Sequence, residues 1–353
     1  MLNSKLKLSN KIFEKDIEKR ACRDGYGKGL VIAGEKDERV VVLCADLTES
    51  TRSHHFQEKF PKRFVEIGVA EQALVTVAAG MAAYGKIPFI SSYAIFSPGR
   101  NWEQIRTTVA LNNVPVKIGG AHAGISVGSD GASHQALEDI SLMRVIPNMV
   151  VLAPGDAIET RKVVIEAANN GKPTYIRFTR EATPVFTTDE TPFKIGRAEI
   201  FWDSVSDRVQ NITHNSVALI ACGPLVYEAL LAAKKLDAQG VGSIVVNCHT
   251  IKPIDEKKIV EVAKECGKVV TVEEHQVNGG LGSAVAEVLA RNYPVPMGFI
   301  GMNDSFGESG KPDELLEKYG MKSDSIRETV EKIIEKRGGE KDGDFKSQKE
   351  RWE

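Results

Sequence analysis

No apolar run in the sequence approaches the roughly 18 residues that a membrane-spanning helix needs, so a bilayer protein is not expected. The opening stretch, MLNSKLKLSNKIFEKDIEKR, sets charges between single apolar residues and lacks the apolar core of a secretory leader. An excess of one charge sign is missing as well: 46 Lys and Arg face 48 Asp and Glu, for a net charge of −2. Such balance excludes a broad polyanion-binding surface, nucleic acid included, and leaves room for one local basic pocket of phosphate size. The five cysteines (Cys22, Cys44, Cys222, Cys248 and Cys266) are odd in number and contain no CxxC pair, which reads against a disulfide framework. They are expected to be reduced, mostly buried thiols of a cytoplasmic protein. Fixed-period repeats and low-complexity tracts are absent too. What remains, 42% hydrophobic and 27% charged residues over 353 positions, is the make-up of a soluble globular chain of about two domains.

Short apolar runs alternate with longer amphipathic segments, the pattern of a mainly parallel sheet flanked by helices. VVVLCA (40–45), KIPFISS (86–92), VPVKIGG (114–120), NMVVLA (148–153) and TYIRF (174–178) read as strands. Helices are expected near 14–36, 70–84, 100–112, 135–145 and 156–169. The rhythm breaks over 181–215 and then restarts with VALIAC (217–222), GSIVVN (242–247), KVVTVEE (268–274) and PMGFIG (296–301). Helices near 225–239, 255–265, 280–291, 312–319 and 323–337 follow. The expected organisation is an α/β chain of two such domains, 14–185 and 216–338, with a linker at 186–215 and a polar tail at 339–353.

The loop AHAGISVGSDGASHQ (121–135) follows a buried-type strand and carries three glycines, His122, Asp130 and His134. Loops at the carboxyl ends of parallel strands are where such sheets bind ligands. The two histidines and the aspartate suit donor, acceptor or proton-transfer roles; a Gly-rich turn capped by Asp130 or Ser133 is the plainer reading. Glu71 opens a small-residue helix in FVEIGVAEQALVTVAAGMAAYG, where the helix dipole alone favours a carboxylate. Tyr93 and Phe96 follow a strand at a spacing that is usually core. Arg177 and Arg180 end another strand, either as a bidentate phosphate grip or as salt-bridge partners. His54 and His55 read as loop residues without a metal pattern. GGLGSAVAE (279–287) has the form of a phosphate-binding glycine turn, or of tight strand-to-helix packing. His249 and His275 read as locally hydrogen-bonded residues.

Taken in order, RDGYGKGL, VVVLCADLTEST, FVEIGVAEQ and GSDGASHQALEDISLMRVIPNMVVLAP, then ALIACGPLVYEAL, TIKPID and VVTVEEHQVNGGLGSAVAE, resemble the carboxyl-terminal half of transketolases, from about Arg20 to about Ile334. The resemblance implies a pyrimidine-binding domain and a transketolase C-terminal domain, and thiamine diphosphate with Mg2+ as cofactors. It places Glu71 against a pyrimidine ring nitrogen, so that it activates the cofactor, with Tyr93 and Phe96 stacking around that ring and Asp46 near it. The third aromatic of that wall has no match, because SPGR follows Phe96. His134 matches a histidine at the donor's reacting hydroxyl end and Asp130 an aspartate that recognises a sugar hydroxyl. Arg23, Ser50, His122 and Arg180 match positions around the sugar phosphate. No metal ligand is assigned to this chain.

The family's diphosphate-binding GDG motif with its later Asn has no counterpart here. The resemblance therefore implies one subunit of a split enzyme, paired with an amino-terminal subunit that holds the diphosphate and Mg2+, in an α2β2 assembly. The implied activity is transfer of a two-carbon ketol unit from a ketose phosphate to an aldose phosphate. Three other readings stay open: a 1-deoxyxylulose-5-phosphate synthase, a 2-oxoacid dehydrogenase beta subunit, and a non-catalytic homologue.

Overall fold

The computed structural model describes residues 1–206 and 215–339. The expected polar tail, beyond Gly339, and the 207–214 part of the expected linker lie outside the described residues. Two α/β units are present, each built on a mainly parallel sheet with helices on its faces. The first sheet has seven strands in the order Thr250–Lys252, Val150–Leu152, Thr174–Arg177, Lys117–Ala121, Ile87–Tyr93, Val40–Cys44, Phe64–Glu66. All neighbours are parallel except Thr250–Lys252, which runs antiparallel to Val150–Leu152. The second sheet follows the order Met297–Met302, Val269–Gln276, Ser216–Ala221, Gly242–Asn247, Glu199–Asp203. Strands such as VVVLC and SVALIA are buried on both faces, which is why they read as unbroken apolar runs rather than alternating ones.

Several elements differ from expectation. The first helix begins only at Cys22, because Lys19–Ala21 pairs with Ala182–Pro184 in a small antiparallel ribbon. The 100–112 segment is a short helix, Trp102–Gln104, running into a π-helical stretch, Ile105–Ala110. The 135–145 helix shortens to Asp139–Arg144, and His54 and His55 open a helix, His54–Lys59, rather than sitting in a loop. Residues 186–215, expected as a linker, include the edge strand Glu199–Asp203, whose Phe201 and Trp202 are buried. Leu6 and Ile12, ahead of the expected first domain, pack into that same core with Phe186. The five-residue edge strand EIFWD buries two adjacent aromatics and so shows no alternation to read, and only its tertiary pairing reveals it.

The two units are fastened to one another. Thr250–Lys252 leaves the second unit to become an edge strand of the first sheet, and Asn247 Nδ2 donates to Glu159 at 2.7 Å across the junction. The GGLG turn is occupied by a carboxylate of its own chain. The carboxylate of Glu273 already accepts the backbone N–H groups of Leu281 and Gly282, both at 2.7 Å, so this helix start is filled from within. His249 Nδ1 lies 2.9 Å from Thr250 Oγ1 and His275 Nδ1 2.7 Å from Gln276 O, as local hydrogen bonding requires. All five cysteines are buried and unpaired. No helix among the described residues is long and apolar enough to cross a membrane.

Candidate active site

The carboxyl ends of the first sheet's parallel strands bring the candidate residues to one side. Val40–Cys44 leads to Asp46, Ile87–Tyr93 to Phe96, Lys117–Ala121 to His122, Phe64–Glu66 to Glu71, and Thr174–Arg177 to Arg180. Glu71 is the first residue of the helix Glu71–Ala83 and is only 4% exposed. Its carboxylate opens on a cleft shared with Val69, Gln72 and Arg100. Arg100 Nη1 stands 3.2 Å from both carboxylate oxygens, and Asn101 Nδ2 pins the Glu71 carbonyl at 3.0 Å. The Arg100 guanidinium also lies 4.1 Å over the Phe96 ring. A flat, nitrogen-bearing group is thus held at once against a carboxylate and an aromatic face. A pyrimidine ring asks for the same pair of contacts, so Glu71 and Phe96 fit one. Arg100 was not singled out in the sequence; the one signal was the PGR turn standing where a third aromatic was expected.

From Phe96 the contacts run on without a gap. Tyr93 stacks on His122 (centroids 4.2 Å, 23° between planes) and lies 6.0 Å from Phe96. His134 makes T-shaped contacts with Phe96 (centroids 5.6 Å apart) and Tyr93 (6.3 Å), with Nδ1 2.9 Å from Ser133 Oγ. His122 is buried at φ +53°, and among the described residues neither ring nitrogen has a hydrogen-bond partner; nor has the buried Nε of Arg23. Buried polar atoms are nearly always paired, so these orphans mark where a polar ligand belongs. Arg23 Nη1 donates to Ser50 O at 3.3 Å, and Arg180 Nη1 to Asp130 Oδ2 at 3.3 Å and Val127 O at 3.2 Å. A buried hydroxyl chain supports this corner: Tyr26 and Ser53 both meet Ser91 Oγ, at 2.8 and 3.0 Å, and Thr51 meets Ser53 at 2.8 Å.

The electrostatics of that corner suit an anion. Burial first, then the guanidinium of Arg52 and, more weakly, that of Arg180, lower Arg23 from its ordinary range. Burial, followed by the charges of Arg23 and Arg180, pushes His122 down to about 3. The imidazole is therefore neutral at working pH and offers one donor and one acceptor, while the positive charge comes from the arginines. Its ring resonances are expected to stay flat between pH 5 and 8 in an NMR titration; a midpoint above 6 would place a cation there instead. The linkage sign follows: a depressed histidine contributes stability that is present above about pH 6.5 and drains away as pH falls toward 3.

Two candidates do not join the cluster. Asp46 is exposed at φ +57°; its backbone N–H donates to Glu66 at 2.7 Å, and its carboxylate makes no hydrogen bond among the described residues. Arg177 is no phosphate grip: it is buried with Nε 2.9 Å from Asp139 Oδ2. Among the described residues, no group of three or more His, Cys, Asp or Glu side chains is placed to hold a metal ion.

Comparison with known proteins bears on about nine-tenths of the chain. A family model described as "Transketolase, pyrimidine binding domain" matches residues 18–185, and one described as "Transketolase, C-terminal domain" matches residues 209–326. The chain is 45% identical over 320 residues to a "Putative transketolase C-terminal section" of Methanocaldococcus jannaschii, covering 90% of this chain and 97% of that one. It is 37% identical to a 6-deoxy-6-sulfo-D-fructose transketolase subunit of a Clostridium species, covering 93% and 99%. A solved structure described as "Split gene transketolase, inactive beta4 tetramer" matches with a TM-score of 0.81 at 44% identity, over 89% of this chain and 98% of that one. The chain belongs to the transketolase family of thiamine diphosphate enzymes, in which it carries the pyrimidine-binding and C-terminal domains.

Proposed function

We propose that this chain is the C-terminal subunit of a two-chain transketolase, moving a two-carbon ketol unit from a ketose phosphate to an aldose phosphate. The observation that carries this is the unbroken run of contacts from Glu71 through Arg100, Phe96, His134 and Tyr93 to His122, ending beside Arg23. One end suits the cofactor's pyrimidine and the other a phosphate. When bound, thiamine diphosphate supplies the carbon centre that carries the two-carbon unit. Glu71 holds and yields a proton at its carboxylate, Phe96 and Tyr93 fix the ring plane, and His134 moves a proton at the donor's hydroxyl end. Arg23, Ser50, His122 and Arg180 bind the remote phosphate, and Asp130 a sugar hydroxyl, which orients the reacting carbon without entering the bond changes. The sulfosugar relative accords with a site that grips an oxyanion at the far end of its sugar.

The diphosphate and Mg2+ are assigned to a separate amino-terminal subunit, since relatives of matching length are themselves described as a section and a subunit. Beside Glu71 the helix presents Ala73, Val77 and Gly80 to solvent, with Val69 and Tyr84 exposed at its two ends. This small apolar face is the proposed seat of the assembly, an α2β2 tetramer. The test is co-expression with the partner subunit, then assay with thiamine diphosphate, Mg2+, xylulose 5-phosphate and ribose 5-phosphate, against pyruvate as alternative donor. Ketol transfer by the pair and none by the chain alone is the expected result. Full activity without the partner, or a preference for pyruvate, overturns the assignment.

A further inference from the structure

The loop carrying His122, Asp130 and His134 is fastened from the other sheet. Glu274 lies in the second-sheet strand Val269–Gln276 and is buried, yet its carboxylate reaches across to accept the backbone N–H of Ser126 at 2.6 Å. Gly124, at φ +93°, makes room for it: a Cβ there would stand 2.3 Å from Glu274 Oε1. The Glu274 carbonyl in turn accepts from Arg177 Nη2 at 2.6 Å, three positions before Arg180 on the same strand end. Next along, the Gln276 N–H donates to Leu137 O at 2.8 Å. Gln135 Nε2 donates to Ile125 O at 3.0 Å and to Glu308 O at 2.9 Å. The second unit thus grips both ends of the segment between His122 and His134. A buried carboxyl group is costly to desolvate, whereas an apolar side chain would fill the volume freely. What the carboxyl adds is a directed acceptor for one peptide N–H of the loop.

We propose that Glu274 is a positioning residue of the sugar-phosphate site: its carboxylate fixes the Ser126 peptide and, through it, the places of His122 and Asp130. The identity of the sugar ligand rests on the function proposed above; the holding of the loop does not. The test uses the full chain as wild type, Glu274→Ala, Glu274→Asp and Glu274→Gln. Each is titrated with inorganic phosphate, and each is assembled with its partner subunit and assayed for donor kcat and KM. Glu274→Ala removes the acceptor, Glu274→Asp draws it back by one methylene, and Glu274→Gln leaves an oxygen in place. Glu274→Ala is expected to weaken phosphate and raise donor KM about tenfold, the loss of roughly one hydrogen bond. Glu274→Asp follows in the same direction, and Glu274→Gln stays within about twofold of wild type.

A fall in kcat at unchanged KM and phosphate affinity, as a partly unfolded population gives, overturns the proposal. So does Glu274→Gln impaired as badly as Glu274→Ala. Should Glu274→Ala not fold, wild-type phosphate affinity in Glu274→Asp overturns it equally. If the assembled wild type transfers no ketol unit, the functional reading falls while the phosphate titration still decides for or against Glu274. Absence of phosphate binding by the wild type removes both.

Discussion

Glu71→Ala is expected to cut kcat of the assembled enzyme about a thousandfold, in the middle of the range that a positioned acid–base group contributes, while leaving the fold intact. The two halves of that expectation have separate causes. Glu71 contributes little to stability: its ion-pair partner Arg100 is half exposed, and such pairs are worth about 0–1 kcal/mol. The helix Glu71–Ala83 keeps its start without the carboxylate, because Asn101 holds the Glu71 carbonyl rather than its side chain. Among the described residues, Glu71 is the carboxylate that Arg100 holds beside the Phe96 ring, so its loss leaves the chemistry without a substitute. Glu71→Gln is expected to fail nearly as badly, since an amide neither takes nor yields the proton. The measurements are steady-state kinetics and a denaturant titration side by side. Turnover within tenfold of wild type removes Glu71 from its role, and a large loss of stability with the loss of activity would make it structural instead.

Legibility in the sequence followed the range of the interactions. The strands VVVLC and GSIVVN and the helix opened by Glu71 were readable because burial on both faces and the helix dipole's preference for a carboxylate in the first turn act within a few residues. The cluster of His122, Asp130 and His134 was readable because one loop carries all three. Arg100 was not, since its meaning depends on reaching Glu71, 29 positions away, and on the Phe96 ring beneath it. Glu274 was not, because its partner Ser126 lies 148 positions earlier in the other unit. Two ambiguous motifs were decided by tertiary partners of the same kind. Glu273 fills the glycine turn that an anion would otherwise enter, and Asp139 takes Arg177 away from the His122 corner while Arg180 stays there. Asp46 shows the converse: its motif was recognisable, yet its side chain faces solvent at a turn held by Glu66.

The Asp139–Arg177 pair carries the largest expected effect on stability. Both side chains are buried, with Nε 2.9 Å from Oδ2, and Tyr175 donates its hydroxyl to the same oxygen at 2.7 Å. Burial by itself would lower the guanidinium's affinity for its proton; Asp139, then Glu274, outweigh that and raise it. Burial, with Asp139 next, likewise raises Tyr175, so its hydroxyl remains a donor across the working pH range. Asp139→Ala strands a guanidinium away from water and orphans a tyrosine hydroxyl, for an expected loss of about 3–5 kcal/mol. Asp139→Asn is expected to recover part of this, because it keeps an acceptor for Tyr175 while leaving the charge unpaired. Removing the charge as well, in Asp139→Ala/Arg177→Met, is expected to restore more than the second substitution alone costs, since the penalty lies in the unpaired ion rather than in the lost pair. A denaturant titration of the four variants and the wild type measures this directly. Additive losses, or an Asp139→Ala loss below about 1 kcal/mol, would show that water reaches Arg177. The pair would then be no pillar of the strand end from which Arg180 projects.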